Sequence, residues 1–208
     1  MPLPLAPASW DSAVAWTRTT VPRGATVIRF RWRYQDAQVR YAGRGSARIA
    51  PPDSLRFDYA GPFGLGSGAA VVIGNAVAWA DPEEDFRSIV PAIPMLWAAL
   101  GMVQPPPPDA AVFGQRAGAG DTTRIVWRFA RQTDTLDYVA TQGGARVLEA
   151  EWRRQGKAVA RSRSQLDAHG RPARARVDFP EGPARFELTV VAVDTAAVIP
   201  PALWRSRR

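Results

Sequence analysis

The chain has no cysteine, a single lysine (Lys157) and a single histidine (His169). Without cysteine there are no disulfides, no thiol catalysis and no thiolate-held metals. An oxidising compartment stays open, because a chain of 208 residues needs no covalent staple. His169 sits in Ala168-His169-Gly170-Arg171, which reads as a turn, and a lone turn histidine reads as a solvated loop residue. Zinc and haem sites therefore lose their usual ligands, and no metal or cofactor is expected. There is no run of ~18 apolar residues, so no segment reads as a membrane-spanning helix. Met1 to Pro7 has neither the basic start nor the apolar run of a signal peptide. Either the protein is cytoplasmic or the chain begins after a removed signal; its Pro/Ala-rich start reads as a tether over residues 1–8 and favours the second.

What the chain does have is apolar bulk and arginine. Hydrophobic residues make up 46% of it, enough for a sizeable core, and the net charge of +8 is almost wholly arginine. A GC-rich genome accounts for that arginine preference as well as a binding role does.

Periodicity points to strands. Ile28, Phe30, Trp32 and Tyr34 alternate with Arg29, Arg31 and Arg33, which predicts a half-buried strand. Leu55, Phe57 and Tyr59 repeat the pattern, and residues 69–73 and 76–79 read as a hairpin across Gly74-Asn75. Further strands are predicted around Ile125 to Phe129, Leu136 to Tyr138, Leu148 to Trp152, Val159 to Leu166, Ala173 to Phe179 and Phe186 to Val193. Gly43 and Gly45 mark a bulge or the close approach of another element. Ser9 is placed to cap a helix running to about Thr19.

The period changes between residues 82 and 101, where an acidic start leads into Phe86, then Met95 to Leu100 and a stop at Gly101. That second piece is apolar nearly all round and must be buried. Pro105 to Pro108 reads as a stiff external strap. The expected architecture is mainly β: a meander of ten or more strands in one curved antiparallel sheet, forming an unclosed barrel. A short helical plug (about 82–101) fills it, a short N-terminal helix precedes it, and one domain spans residues 9–204.

Catalytic patterns are missing. Asp81, Glu83, Glu84 and Asp85 read as the electrostatics of a helix start, and no carboxylate pair has a recognisable spacing. Gly61 to Gly68 lacks the lysine of a phosphate loop, and no serine lies in a nucleophile-elbow context. The chain reads as non-enzymatic. A curved sheet that one insertion cannot cover leaves an apolar concavity, which is a ligand site by default. The residues expected to line it are Phe30, Trp32, Phe57, Trp79, Phe86, Leu96, Trp97, Leu100, Trp127 and Phe129. The arginines on the opposite face would form a solvated convex surface able to attract anionic headgroups.

Gly61-Pro62-Phe63-Gly64, the hairpin from Ala69, the acidic-start helix and Ile93-Pro94-Met95-Leu96-Trp97-Ala98-Ala99-Leu100-Gly101 follow one another in a characteristic order. Over roughly Phe30 to Gly101 the chain resembles the bacterial lipoprotein-sorting family, which includes the outer-membrane receptor LolB and the periplasmic carrier LolA. The resemblance implies an unclosed barrel, plugged by helices, whose cavity accepts lipoprotein acyl chains. It also implies a periplasmic location, a membrane surface and a carrier protein as partners, and tethering to the outer membrane through a lipidated N-terminal cysteine that this sequence does not contain. A loop residue that helps delivery into the membrane would fall on Phe63, flanked by Pro62, Gly64 and Leu65, where the family usually has leucine. On that reading Phe63→Glu should leave folding and ligand binding intact but abolish transfer to liposomes; unchanged transfer would sink it.

Other readings stand beside this one: a LolA-like soluble carrier, a periplasmic sensor or protein-interaction domain of the same fold, and a basic nucleic-acid-binding β domain. Against the last, the arginines alternate along many strands rather than gathering with exposed aromatics on one platform, so no nucleic acid is expected as a partner.

Overall fold

The computed structural model describes residues 5–61, 66–90 and 92–205. All strands belong to one antiparallel sheet of thirteen. In chain order these are β1 (Ala6–Pro7), β2 (Thr26–Gln35), β3 (Arg40–Ala50), β4 (Ser54–Ala60), β5 (Ser67–Ile73), β6 (Ala76–Asp81), β7 (Ala111–Ala119), β8 (Thr122–Arg131), β9 (Asp134–Gln142), β10 (Arg146–Arg154), β11 (Lys157–Leu166), β12 (Pro172–Phe179) and β13 (Ala184–Asp194). The spatial order is β1-β7-β8-β9-β10-β11-β12-β13-β2-β3-β4-β5-β6. Two runs of hairpins are thus joined where β13 returns to pair with β2, from Arg185 opposite Gln35 to Asp194 opposite Val27. The free edges are β6 and the β1-capped β7, so the barrel is unclosed.

Among the described residues three α-helices accompany the sheet: α1 (Trp10–Thr20), α2 (Glu83–Ile89) and α3 (Ile93–Ala99). The Ser9 hydroxyl accepts from the Ser12 N–H at 3.1 Å and caps α1. On α1 the buried residues are Ala13, Val14 and Thr17. α2 packs on β5 and β6, α3 on β10, β11 and β12, and α1 on β7. Gly101 ends α3 with φ +80°, a backbone state that costs glycine nothing. The Ser164 hydroxyl on β11 donates to the Ala99 carbonyl at 3.2 Å and ties the end of α3 to the sheet.

The inner face is aromatic. Phe30 stacks on Phe57 at 5.3 Å between ring centroids, and Phe86 of α2 reaches Phe57 at 6.2 Å. Glycines lie beneath several of these rings. Phe30 pairs with Gly45 and Trp32 with Gly43 across β2–β3, Tyr59 with Gly68 across β4–β5, and Trp127 with Gly114 across β7–β8. A Cβ built on Gly43 would stand 2.7 Å from the Trp32 ring. Gly43 and Gly45 therefore mark close approach of aromatic rings within a continuous strand.

Three expectations change. Residues 6 and 7, placed in a tether, instead pair with Gly114 and Phe113 as β1, because the β7 edge offers free backbone groups. The strap expected over Pro105 to Pro108 is only partly external: Pro105 and Pro108 are exposed, but Pro106 is buried and Pro107 half-buried, and the residues leading into it, Met102, Val103 and Gln104, are buried. The segment from Met102 to Pro108 runs along α1, which grips it at both ends: Trp10 Nε1 donates to the Pro106 carbonyl at 3.2 Å, and the Val103 N–H donates to Thr20 Oγ1 at 2.9 Å. Finally, α1 joins the plug in covering the inner sheet. Trp16 lies over Trp127 and Tyr138, at 5.9 and 6.3 Å between centroids.

Candidate ligand pocket

Of the ten residues expected to line an open cavity, Phe30, Trp32, Phe57, Phe86, Leu96, Trp97, Leu100 and Phe129 are closed within the core. Side chains of α2 and α3 fill the concavity above them. Trp127 is half-buried beneath Trp16. Trp79 is on the other face of the sheet. It pairs with Val71, which pairs with Arg56, and the Arg56 guanidinium lies 5.4 Å from the Trp79 ring centroid. A register shift between Val71 and Val72 reverses the face of β6, which is why simple alternation misplaced Trp79. On this outer face the turn Pro201–Trp204 covers it: Trp79 Nε1 donates to the Trp204 carbonyl at 3.1 Å, and Arg56 donates to the Leu203 carbonyl. The loop residues Pro62, Phe63, Gly64 and Leu65 lie outside the described residues.

Open volume exists at one end of the barrel. A pocket of about 710 Å³ lies where α1 ends and β2 begins, bounded also by the β9–β10 and β11–β12 turns. Its floor is apolar: Ile28, Ile49, Leu100, Leu148, Leu166 and Val193. Among the ten expected residues Leu100 alone lines it. Trp16 and Thr20 of α1 close one side. The Trp16 stack continues to Tyr138, whose phenol burial holds neutral by pushing its pKa well up. The volume is in the ordinary range for small-molecule sites.

No family model and no curated protein matches the sequence. Solved structures do match. A LolA superfamily protein from Nitrosomonas europaea superposes with a TM-score of 0.63 at 10% identity, covering 96% of this chain and 98% of its own. A domain described as an outer-membrane lipoprotein-sorting protein, from Vibrio parahaemolyticus, gives 0.57 at 10% identity, over 95% and 100% of the two chains. The chain has the LolA-superfamily fold.

In this LolA-type barrel the pocket mouth is basic. Arg23, Arg146, Arg171 and His169 line it, and no aspartate or glutamate does. The β11–β12 turn that carries two of them is fixed from below by Asp167. That carboxylate accepts from the His169 N–H at 2.8 Å, the Arg171 N–H at 2.9 Å and Arg171 Nε at 2.8 Å. Burial alone would raise the Asp167 carboxyl, but these three donors together hold it below the usual carboxylate range. Sequence reasoning dismissed His169 and passed over Arg23 and Arg146. The available signal was that each stands in or beside a glycine-bearing turn.

The convex face divides into two electrostatic regions. Over β8 to β12 many arginines are paired: Arg128 with Asp137 at 2.6 Å, Arg161 with Glu151 at 2.7 Å, Arg176 with Asp178 at 2.6 Å. Burial would raise the Glu151 carboxyl, but hydrogen bonds from Arg161 and Arg153 hold it low. Over β12, β13, β2 and β3 the register sets Arg174, Arg31 and Arg44 in one row, with Arg33 in the next and Arg29 and Arg40 beyond. All six are exposed, and none makes an ion pair with a described residue. Glu187 is the carboxylate inside this patch, opposite Arg33.

Proposed function

We propose that the protein is a non-enzymatic carrier or receptor that holds acyl chains of a lipid or lipoprotein in the pocket at the end of its barrel. The observation that carries this reading is the pocket at the barrel end, which the half-buried Leu166 and Val193 line with the buried Ile28, Ile49 and Leu148 beneath, while the remaining concavity is filled. The LolA-superfamily fold supports it. Each methylene withdrawn from water contributes about 0.8 kcal/mol, so about ten would give ~8 kcal/mol before the costs of association. Val193 is half-buried at the pocket and tolerates enlargement better than the core does. Val193→Trp is expected to weaken binding of a fluorescent fatty acid by about tenfold, ~1.4 kcal/mol, with little change in melting temperature. Undiminished binding would contradict the assignment of the site.

The companion reading is a periplasmic location at a membrane surface, in exchange with a partner carrier protein. The unpaired arginines of β2, β3 and β12 support the membrane part. Near an anionic bilayer each contributes about 1 kcal/mol, screened by salt. The triple variant R31E/R33E/R44E should lose sedimentation with vesicles containing anionic phospholipid. The wild type should bind them at low salt and release them at high salt. Equal binding by the variant would refute the patch, and tighter binding of single-stranded oligonucleotide than of vesicles would assign it to nucleic acid instead.

Phe63 as a delivery residue remains a proposal from the sequence. The strand ends that bear its loop, Ala60 and Ser67, lie opposite Arg44, whereas the pocket lies at the Thr26 and Ile49 end of the same strands. The described residues that flank the loop and the pocket therefore lie at opposite ends of β4.

A further inference from the structure

We infer that the pocket selects an amphiphile with an anionic head, a phosphate or carboxylate, bound by Arg23, Arg146 and Arg171 while the chain lies on the apolar floor. The inference rests on the pocket being the ligand site and adds the chemical class of the ligand.

Three observations lead to it. The first is composition by depth: the floor is aliphatic, whereas the mouth carries three guanidinium groups and an imidazole with no carboxylate among the lining residues. The second is availability. Arg23 and Arg146 make no ion pair with a described residue and are exposed at the mouth. The third is preparation of the site. Asp167 engages Arg171 through Nε, so the terminal nitrogens of that guanidinium stay free to donate in a defined direction. Guanidinium groups suit this task because their planar donors match phosphate and carboxylate oxygens two at a time.

These residues come from three separate connections: the α1–β2 link, the start of β10 and the β11–β12 turn. The fold gathers them at one mouth, so a head held there leaves its chain pointing at Leu148 and Leu166. A neutral amphiphile would fill the floor equally well but leave the Arg23 and Arg146 guanidinium groups without an ion-pair partner.

The test compares lysophosphatidic acid with monoacylglycerol of the same chain length, and with inorganic phosphate alone, by calorimetry on the full chain. The wild type should bind the lysophosphatidic acid at least about tenfold more tightly than the monoacylglycerol, with phosphate alone far weaker than either. R23Q/R146Q should collapse that ratio towards one, and R23K/R146K should restore most of it; thermal melts check that both variants fold. Equal affinity of the wild type for the two lipids would overturn the headgroup assignment while leaving the pocket as the lipid site. Phosphate binding as tightly as the lipid would overturn it in favour of a small-anion site. Binding of neither lipid would overturn it together with the pocket reading.

Discussion

Trp97→Ala is expected to cost about 3–5 kcal/mol, the largest loss of any single truncation in this protein. Trp97 is fully buried and is the largest such side chain. It rises from α3, which rests on β10, β11 and β12, and its Nε1 donates to the Gly74 carbonyl in the β5–β6 turn at 2.7 Å. One side chain thus bridges two walls of the sheet that are far apart in strand order. Truncation would leave a cavity, remove that bridge and loosen α3 against the barrel. In a chain of this length the loss corresponds to a fall in melting temperature of roughly 6–20 °C. Fatty-acid affinity measured well below the new melting point should change little, because Trp97 does not line the pocket. A loss under about 1 kcal/mol, by denaturant titration, would mean that the plug is not packed as described.

Gly45→Val is the second large effect, expected to cost about 3 kcal/mol, the upper end of what overpacking does. A Cβ at position 45 would meet the Phe30 ring at 2.5 Å and the Asp58 backbone carbonyl at 2.6 Å. The ring could rotate, but it is itself stacked on Phe57, and the carbonyl belongs to the neighbouring strand β4. Relief therefore requires moving a strand, not a side chain. The matching control is Gly74→Ala, where the added Cβ meets nothing and only the φ of +57° is strained. Its cost should be about 1 kcal/mol. Equal melting temperatures for the two variants would contradict the close packing of rings over glycine.

Much of this architecture was readable from local pattern. Alternation of Phe30 and Trp32 with arginine set the faces of β2, and Ser9 set the start of α1. β7 was not foreseen, because Ala111–Ala119 carries alanine and glycine where strands usually carry branched or aromatic groups. Its inward Gly114 is instead filled from the neighbouring strand by Trp127. The pairing of β13 with β2 has no local signal at all, and it is this seam that turns two meanders into one barrel. The site was less legible for the same reason. The aromatic residues singled out from the sequence are excellent core formers, and they pack on one another. The pocket is defined by what the helices fail to cover, and its basic mouth is assembled from residues far apart in the chain.

The central claim is that acyl chains occupy the pocket at the barrel end. Native mass spectrometry of the protein after mild extraction from its host, beside Val193→Trp prepared identically, tests it most directly. The account predicts a lipid adduct on the wild-type protein that is released on activation and is absent or strongly reduced on the variant. A clean apoprotein that also takes up no fatty acid or lysophospholipid when these are added would contradict it.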